Sequence, residues 1–118
     1  MSENNSLVPV VANALVEVSG NITNFVTKAK ASGVIRRAQL EILRKQTTKV
    51  VVEIRTYNLG DIIMTNLDQI ARTQEHIDNL ERQGRLHGAS LTMAMDQLTD
   101  LNNILRRNLR KYENGELR

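Results

Sequence analysis

Apolar side chains recur at three- and four-residue spacing in four successive stretches of the chain. The stretches are separated at Gly33, at Asn58–Gly60 and at Gly84–Gly88, where glycine and polar residues favour turns. An apolar stripe on a helix has to be covered by another apolar stripe, so this pattern predicts an all-α protein. We expect one domain over residues 1–118, with three or four helices in antiparallel helical hairpins that form an elongated, coiled-coil-like bundle.

The predicted helices cover residues 7–31, 34–57, 61–83 and 89–112, and the first begins with Ser6 as its N-cap and Pro9 in its first turn. Two local alternatives stay open. The β-branched run in residues 47–57 is compatible with a strand as well as a helix. The turn signal at residues 58–60 either separates two helices or lies inside one continuous helix over residues 34–83.

The region from Leu7 to Val26 is the most apolar part of the chain. Polar residues such as Glu17 and Asn21 interrupt it, and no basic residue precedes it, so neither a transmembrane span nor a signal peptide is predicted. We expect a cytoplasmic protein, with a membrane-peripheral location as the alternative. A single long hairpin leaves this stripe uncovered, which predicts an interface with another subunit. The predicted interface residues are Leu7, Val11, Leu15, Val18, Ile22 and Phe25.

The composition argues against a catalytic site, a cofactor site or a metal site. Aromatic residues make up 3% of the chain and cysteine is absent, which disfavours stacking sites and excludes disulfides and zinc–thiolate centres. His76 and His87 lack an acidic or histidine neighbour at the helical spacing of a metal site. No nucleophile motif or phosphate-binding glycine loop is present. We therefore predict a non-enzymatic protein with no catalytic residue, cofactor or metal.

Charge is unevenly distributed along the chain, although the net charge is only +3. Residues 28–55 carry a net charge of +6 and residues 56–83 carry −3, so antiparallel packing of these segments sets opposite charges against each other. A candidate basic patch lies in the first segment. It consists of Arg36, Arg37, Arg44, Lys45 and Lys49.

These features predict an interaction or structural protein that self-assembles into a homo-oligomer or a larger complex through apolar helix faces. The alternative is a helical module that binds nucleic acid or an anionic membrane through residues 28–55. Salt separates the two hypotheses, because binding to a polyanion weakens steeply with salt whereas apolar association persists.

Residues Thr73 to Lys111 contain a threonine, ten intervening residues, the dipeptide Gly84-Arg85 and then a leucine-rich helix. This arrangement resembles the carboxyl-terminal part of the toxic-anion (tellurite) resistance protein family, and Leu43–Thr47 is similar to a segment further upstream in that family. Gly88 departs from the family, which tends to continue in charged residues there. The resemblance covers at most two-thirds of the chain and implies a bacterial, non-enzymatic helical protein linked to stress or the cell envelope. It assigns no functional residue.

Overall fold

The computed structural model describes the backbone of residues 2–57 and 61–115 and the side chains of residues 11–56 and 61–115. These residues form four helices and no strand, which confirms the all-α prediction. The helices are α1 (Ser2–Ser32), α2 (Arg37–Tyr57), α3 (Asp61–Arg82) and α4 (Ala89–Glu113).

The four helices surround a single core. Helix α1 packs against α2 and α4, and α3 packs against the same two helices, so α2 and α4 lie on opposite sides of the bundle. Neighbouring helices are antiparallel. Arg44 and Arg55 of α2 pair in reverse order along α3, with Asp78 and Asp68. Lys30 near the end of α1 pairs with Asp96 near the start of α4, and α1 and α2 are joined by a short turn. The bundle is elongated, with principal dimensions of 51 × 21 × 19 Å.

Glycines with positive φ end helices α1 and α3. Gly33 has φ 75°, and its N–H donates to the carbonyl oxygen of Ala29 at 2.8 Å, which closes the last turn of α1. Gly84 and Gly88 have φ 66° and 56° and shape the loop between α3 and α4. After Gly33 three further residues form the turn, so α2 begins at Arg37 and not at residue 34 as predicted.

Helix α1 also starts earlier than predicted, at Ser2 and not at residue 7. Ser6 is therefore inside the helix and does not cap it. Pro9 is also an interior residue. It removes one backbone donor from the helix, and the turns on both sides of it keep helical geometry.

Residues 47–57, for which helix and strand were both open, are helical. The hydroxyl groups of Thr47 and Thr56 donate to carbonyl oxygens one turn earlier, at 2.9 Å in both cases, so these β-branched residues are accommodated in a helix. Helices α2 and α3 pack side by side, so residues 34–83 are not one continuous rod. The connecting residues 58–60 lie outside the described part of the chain.

All four helices contribute to the core, and its fully buried side chains are mainly aliphatic. The largest of them are Leu15, Ile22, Leu40, Leu43, Ile54, Leu67, Ile70, Ile77, Met95, Leu98 and Leu105, together with the polar Gln74.

Buried polar side chains join specific pairs of helices. Between α1 and α4, the Ser19 hydroxyl donates to Asn102 Oδ1 at 2.8 Å, and Arg106 Nε donates to Ser19 Oγ at 2.9 Å. Between α2 and α3, Gln74 Nε2 donates to Thr47 Oγ1 at 2.9 Å. Every buried polar side-chain atom among the described residues has a hydrogen-bond partner. These bonds favour one arrangement of neighbouring helices, because a shifted helix leaves a buried polar group unpaired.

Candidate interaction surfaces

The apolar stripe of α1, predicted to be a partner interface, lies in the core of the chain itself. Val11, Leu15, Val18, Ile22 and Phe25 are all buried by side chains of the other helices. The side chain of Leu7 lies outside the described residues. The prediction assumed that the first helix lacked a cover within the chain. That assumption is wrong, because the chain folds as a closed four-helix bundle and not as a single extended hairpin.

The predicted basic patch is divided by the structure. Arg44 turns towards α3, where its Nη1 lies 3.1 Å from Asp78 Oδ2, and Arg82 Nε approaches the same carboxylate oxygen at 3.0 Å. The Asp78 side chain is only 7% exposed, so this carboxylate accepts both cations at the edge of the core. Arg55 and Asp68 lie 4.0 Å apart further along the same helix pair. The opposite charges of the two segments therefore meet within the chain, between α2 and α3.

The other four members of the basic patch are exposed and form no ion pair among the described residues. Arg36 and Arg37 lie at the end of the bundle where α2 begins. Lys45 and Lys49 lie one helical turn apart on the solvent face of α2. The patch is thus two separate pairs of cations and not one continuous surface.

Lys45 and Lys49 belong to an outward stripe of α2 that also contains two large apolar side chains. Ile42 is 58% exposed and Val52 is 56% exposed. The four residues follow one another at steps of three, four and three positions, so they share one face of the helix. We call this set, Ile42, Lys45, Lys49 and Val52, the α2 stripe.

Helix α4 carries a second outward stripe with acidic residues in the middle. Met93 is 71% exposed and Ile104 is 38% exposed, and between them Asp96 and Asp100 are also exposed. Asp96 accepts a hydrogen bond from Lys30 of α1 at 2.5 Å, and both side chains of that pair stay accessible to solvent. We call Met93, Asp96, Asp100 and Ile104 the α4 stripe.

Neither stripe is predicted from the sequence, because helical spacing alone favours one inward seam for the apolar residues of each helix. Ile42 follows Ile35 by seven residues, a spacing that favours one common seam for the two side chains. In the structure the adjacent Leu43 is buried and Ile42 points outwards. The sequence feature that identifies the α2 stripe as an outer face is the pair Lys45 and Lys49 between two aliphatic residues, because lysines are rarely buried in a core.

The surface also contains shallow grooves between helices. The one between α1 and α4 has a volume of about 320 Å³ and is lined by Val16, Gly20 and Leu109, with Arg106 and Arg110 beside them. A groove of similar size between α3 and α4 lies beside Ile62 and Ile104. Each groove is open to solvent along its length.

The two histidines lie apart on the surface, His76 on α3 and His87 in the loop before α4. Within residues 2–57 and 61–115, no group of three or more His, Cys, Asp or Glu residues is arranged to hold a metal ion. In the same residues, none of the helices has an apolar stretch long enough to cross a membrane.

Comparisons with known proteins give no relative from which a function is transferable, and the resemblance to the toxic-anion resistance family stays a prediction. No protein-family model, curated protein or solved structure matches this chain.

Proposed function

We propose that this protein is a non-enzymatic helical interaction protein that assembles with further copies of itself, directly or within a larger complex. The observation that carries the proposal is the set of large apolar side chains left on the outside of a bundle whose core is already filled. Four of the seven such side chains in the described part of the chain occur in pairs on single helix faces, Ile42 with Val52 and Met93 with Ile104. The two members of each pair lie about 15–17 Å apart along one helix face, so a single neighbouring helix can contact both of them.

The interior of the bundle supports the same proposal. Its polar side chains are engaged in hydrogen bonds between helices, as between Ser19 and Asn102. The chain therefore presents a rigid scaffold with patterned outer faces. Outer helix faces of this kind bind other helices through ridges that fit into grooves.

Measurement of molar mass in solution tests the proposal. Sedimentation velocity across a wide range of protein concentration is expected to show species heavier than the 13.3 kDa chain, with a mass that rises with concentration. Because apolar area contributes to the contact, the heavier species are expected to persist at moderate salt. A mass of one chain at every concentration and salt level contradicts self-assembly.

A second candidate function is binding to nucleic acid or to an anionic membrane surface. It is favoured by the exposed cations Arg36, Arg37, Lys45 and Lys49, none of which has an ion-pair partner among the described residues. Titration with duplex DNA and with vesicles containing an anionic lipid discriminates between the candidates. Binding that is strong at low salt and falls steeply at moderate salt, by a chain that stays monomeric alone, favours this second function.

A further inference from the structure

We propose that the α2 stripe of one copy docks against the α4 stripe of the next copy, so that copies add side by side in a head-to-tail row. This inference rests on the proposed self-assembly and names the two faces that perform it. It follows from the spacing, the charges and the positions of the two stripes.

The residues of the two stripes have matching spacing when α2 of one copy is aligned in parallel with α4 of another. An offset of 51 residues sets Ile42 opposite Met93, Lys45 opposite Asp96, and Lys49 opposite Asp100. With the same offset Val52 falls beside Asn103, one position before Ile104. Two helices aligned in this way place apolar contacts at both ends of the interface and two ion pairs in the middle, as in a parallel coiled-coil seam.

The bundle already holds the two helices in the orientation that this register needs. Helices α2 and α4 lie on opposite sides of the bundle and both run from the same end of it. Asn21 of α1 donates to Gln46 at 2.8 Å, and Ser19 of the same helix donates to Asn102. The middle parts of α2 and α4 therefore lie at nearly the same height along the bundle. A sideways shift of one copy, with a small slide along its axis, brings the α2 stripe against a neighbour's α4 stripe.

Charge also disfavours the alternative in which like faces meet. In an antiparallel pairing of two α2 stripes, Lys45 of one copy lies opposite Lys49 of the other. Two α4 stripes paired in the same way set Asp96 against Asp100. Both pairings bring like charges together, whereas the α2–α4 pairing matches them. The contact is accordingly heterologous, and a heterologous contact between copies related by translation continues without closing.

Two reciprocal charge reversals test this contact. The first variant carries Lys45→Glu and Lys49→Glu, and the second carries Asp96→Lys and Asp100→Lys. Each variant alone is expected to associate at least about tenfold more weakly than the wild type, because its altered face repels the natural partner face. An equimolar mixture is expected to recover assembly, because every junction between the two variants pairs opposite charges.

The matched control is Lys28→Glu with Arg36→Glu, which makes the same change in net charge at exposed positions outside both stripes. It is expected to assemble like the wild type. Circular dichroism and urea unfolding establish that all variants keep the helical fold. The difference between the first variant and this control is expected to shrink at high salt, because exposed ion pairs are screened.

The outcomes separate the inference from the proposed function. A wild-type chain that is monomeric throughout overturns both. A wild-type chain that assembles while both reversed variants assemble equally well overturns the α2–α4 contact and leaves self-assembly in place. A folded pair of variants whose mixture does not recover assembly also overturns the α2–α4 contact.

Discussion

The inward stripe of α1 and the outward stripe of α2 are both built from aliphatic residues at helical spacing, yet they lie in opposite environments. Leu15 and Ile22 of α1 are fully inaccessible to solvent, whereas Ile42 and Val52 of α2 keep more than half of their surface exposed. The two stripes differ in what lies between the aliphatic residues. In α1 the buried positions between them are also apolar, apart from Ser19, whereas in α2 two lysines separate the ends of the stripe. An uninterrupted stripe thus marks the core of this chain, and a stripe broken by charge marks its surface.

Truncation of one residue from each stripe tests this comparison with the largest expected effect. Leu15→Ala is expected to lower the free energy of unfolding by about 2–5 kcal/mol, because it leaves a cavity in a filled core. Ile42→Ala, at an exposed position, is expected to change it by about 0.5 kcal/mol or less. Urea unfolding followed by circular dichroism measures both values at a protein concentration where the chain is monomeric.

The two substitutions are expected to affect self-association in the opposite order, with the direct effect at Ile42. Ile42→Ala weakens assembly of the folded chain, whereas Leu15→Ala affects it only through loss of folded protein. Equal destabilisation of the fold by the two substitutions contradicts the assignment of α1 to the interior and α2 to the surface.

The buried hydrogen bond between Gln74 of α3 and Thr47 of α2 gives the next largest expected effect on the free energy of unfolding. Thr47→Val removes the acceptor of the Gln74 amide and leaves a buried donor unpaired, which is expected to cost about 1–3 kcal/mol of stability. Adding Gln74→Leu removes the unpaired group, so the double variant is expected to be more stable than Thr47→Val alone. A double-mutant cycle by urea unfolding measures the coupling. Additive effects of the two substitutions contradict a direct role for this hydrogen bond.

Much of the architecture could be predicted from the sequence because it depends on local signals. Periodicity located the four helices, and Gly33 and Gly84–Gly88 marked two of the turns between them. The positions of the helix ends were less accurate, since Ser6 and Pro9 resemble a helix start although the helix begins earlier. Local capping preferences are small and are overridden where neighbouring turns stay helical.

The candidate site was harder to predict because it depends on which helices become neighbours. Nothing local to α1 indicates that α2 and α4 cover its stripe, so the sequence does not distinguish this core face from a partner surface. The α2 and α4 stripes are recognisable only after the core has been assigned. Ile42 and Leu43 are adjacent aliphatic residues, and only the packing of α2 against its neighbours shows which of them is buried.

Substitution of Gly20, at the open edge of α1, is expected to have a smaller and stabilising effect on the fold. A glycine inside a helix can allow a bend or a close helix crossing. At Gly20, however, an added Cβ atom meets nothing within 4 Å apart from the adjoining backbone of its own helix. Gly20→Ala is therefore expected to raise the free energy of unfolding by about 0.5–1 kcal/mol, because alanine has the higher helix propensity. Thermal and urea unfolding measure the change. A loss of stability contradicts the open environment at this position, and Gly33→Ala, where φ is positive, is the matched substitution expected to destabilise.

Tyr112 lies where the inward stripe of α4 reaches the end of the bundle, between interior and surface. Its ionisation gives the smallest expected effect on stability. Burial raises the pKa of Tyr112 above its ordinary value of 10.0, because desolvation disfavours the charged phenolate. The folded chain therefore holds this proton more tightly than the unfolded chain does. Its contribution to stability is complete below pH 10 and is lost as pH rises from about 10 through the folded-state pKa.

Replacement of Tyr112 by phenylalanine isolates this contribution, because the two proteins differ only in the phenolic hydroxyl. Urea unfolding at about pH 9 and about pH 11 is expected to show a larger loss of stability in the wild type than in Tyr112→Phe. Equal losses in the two proteins place the Tyr112 hydroxyl in a solvent environment indistinguishable from that of the unfolded chain. The core face of α4 then ends at Leu109, one turn earlier than the burial of its side chains indicates.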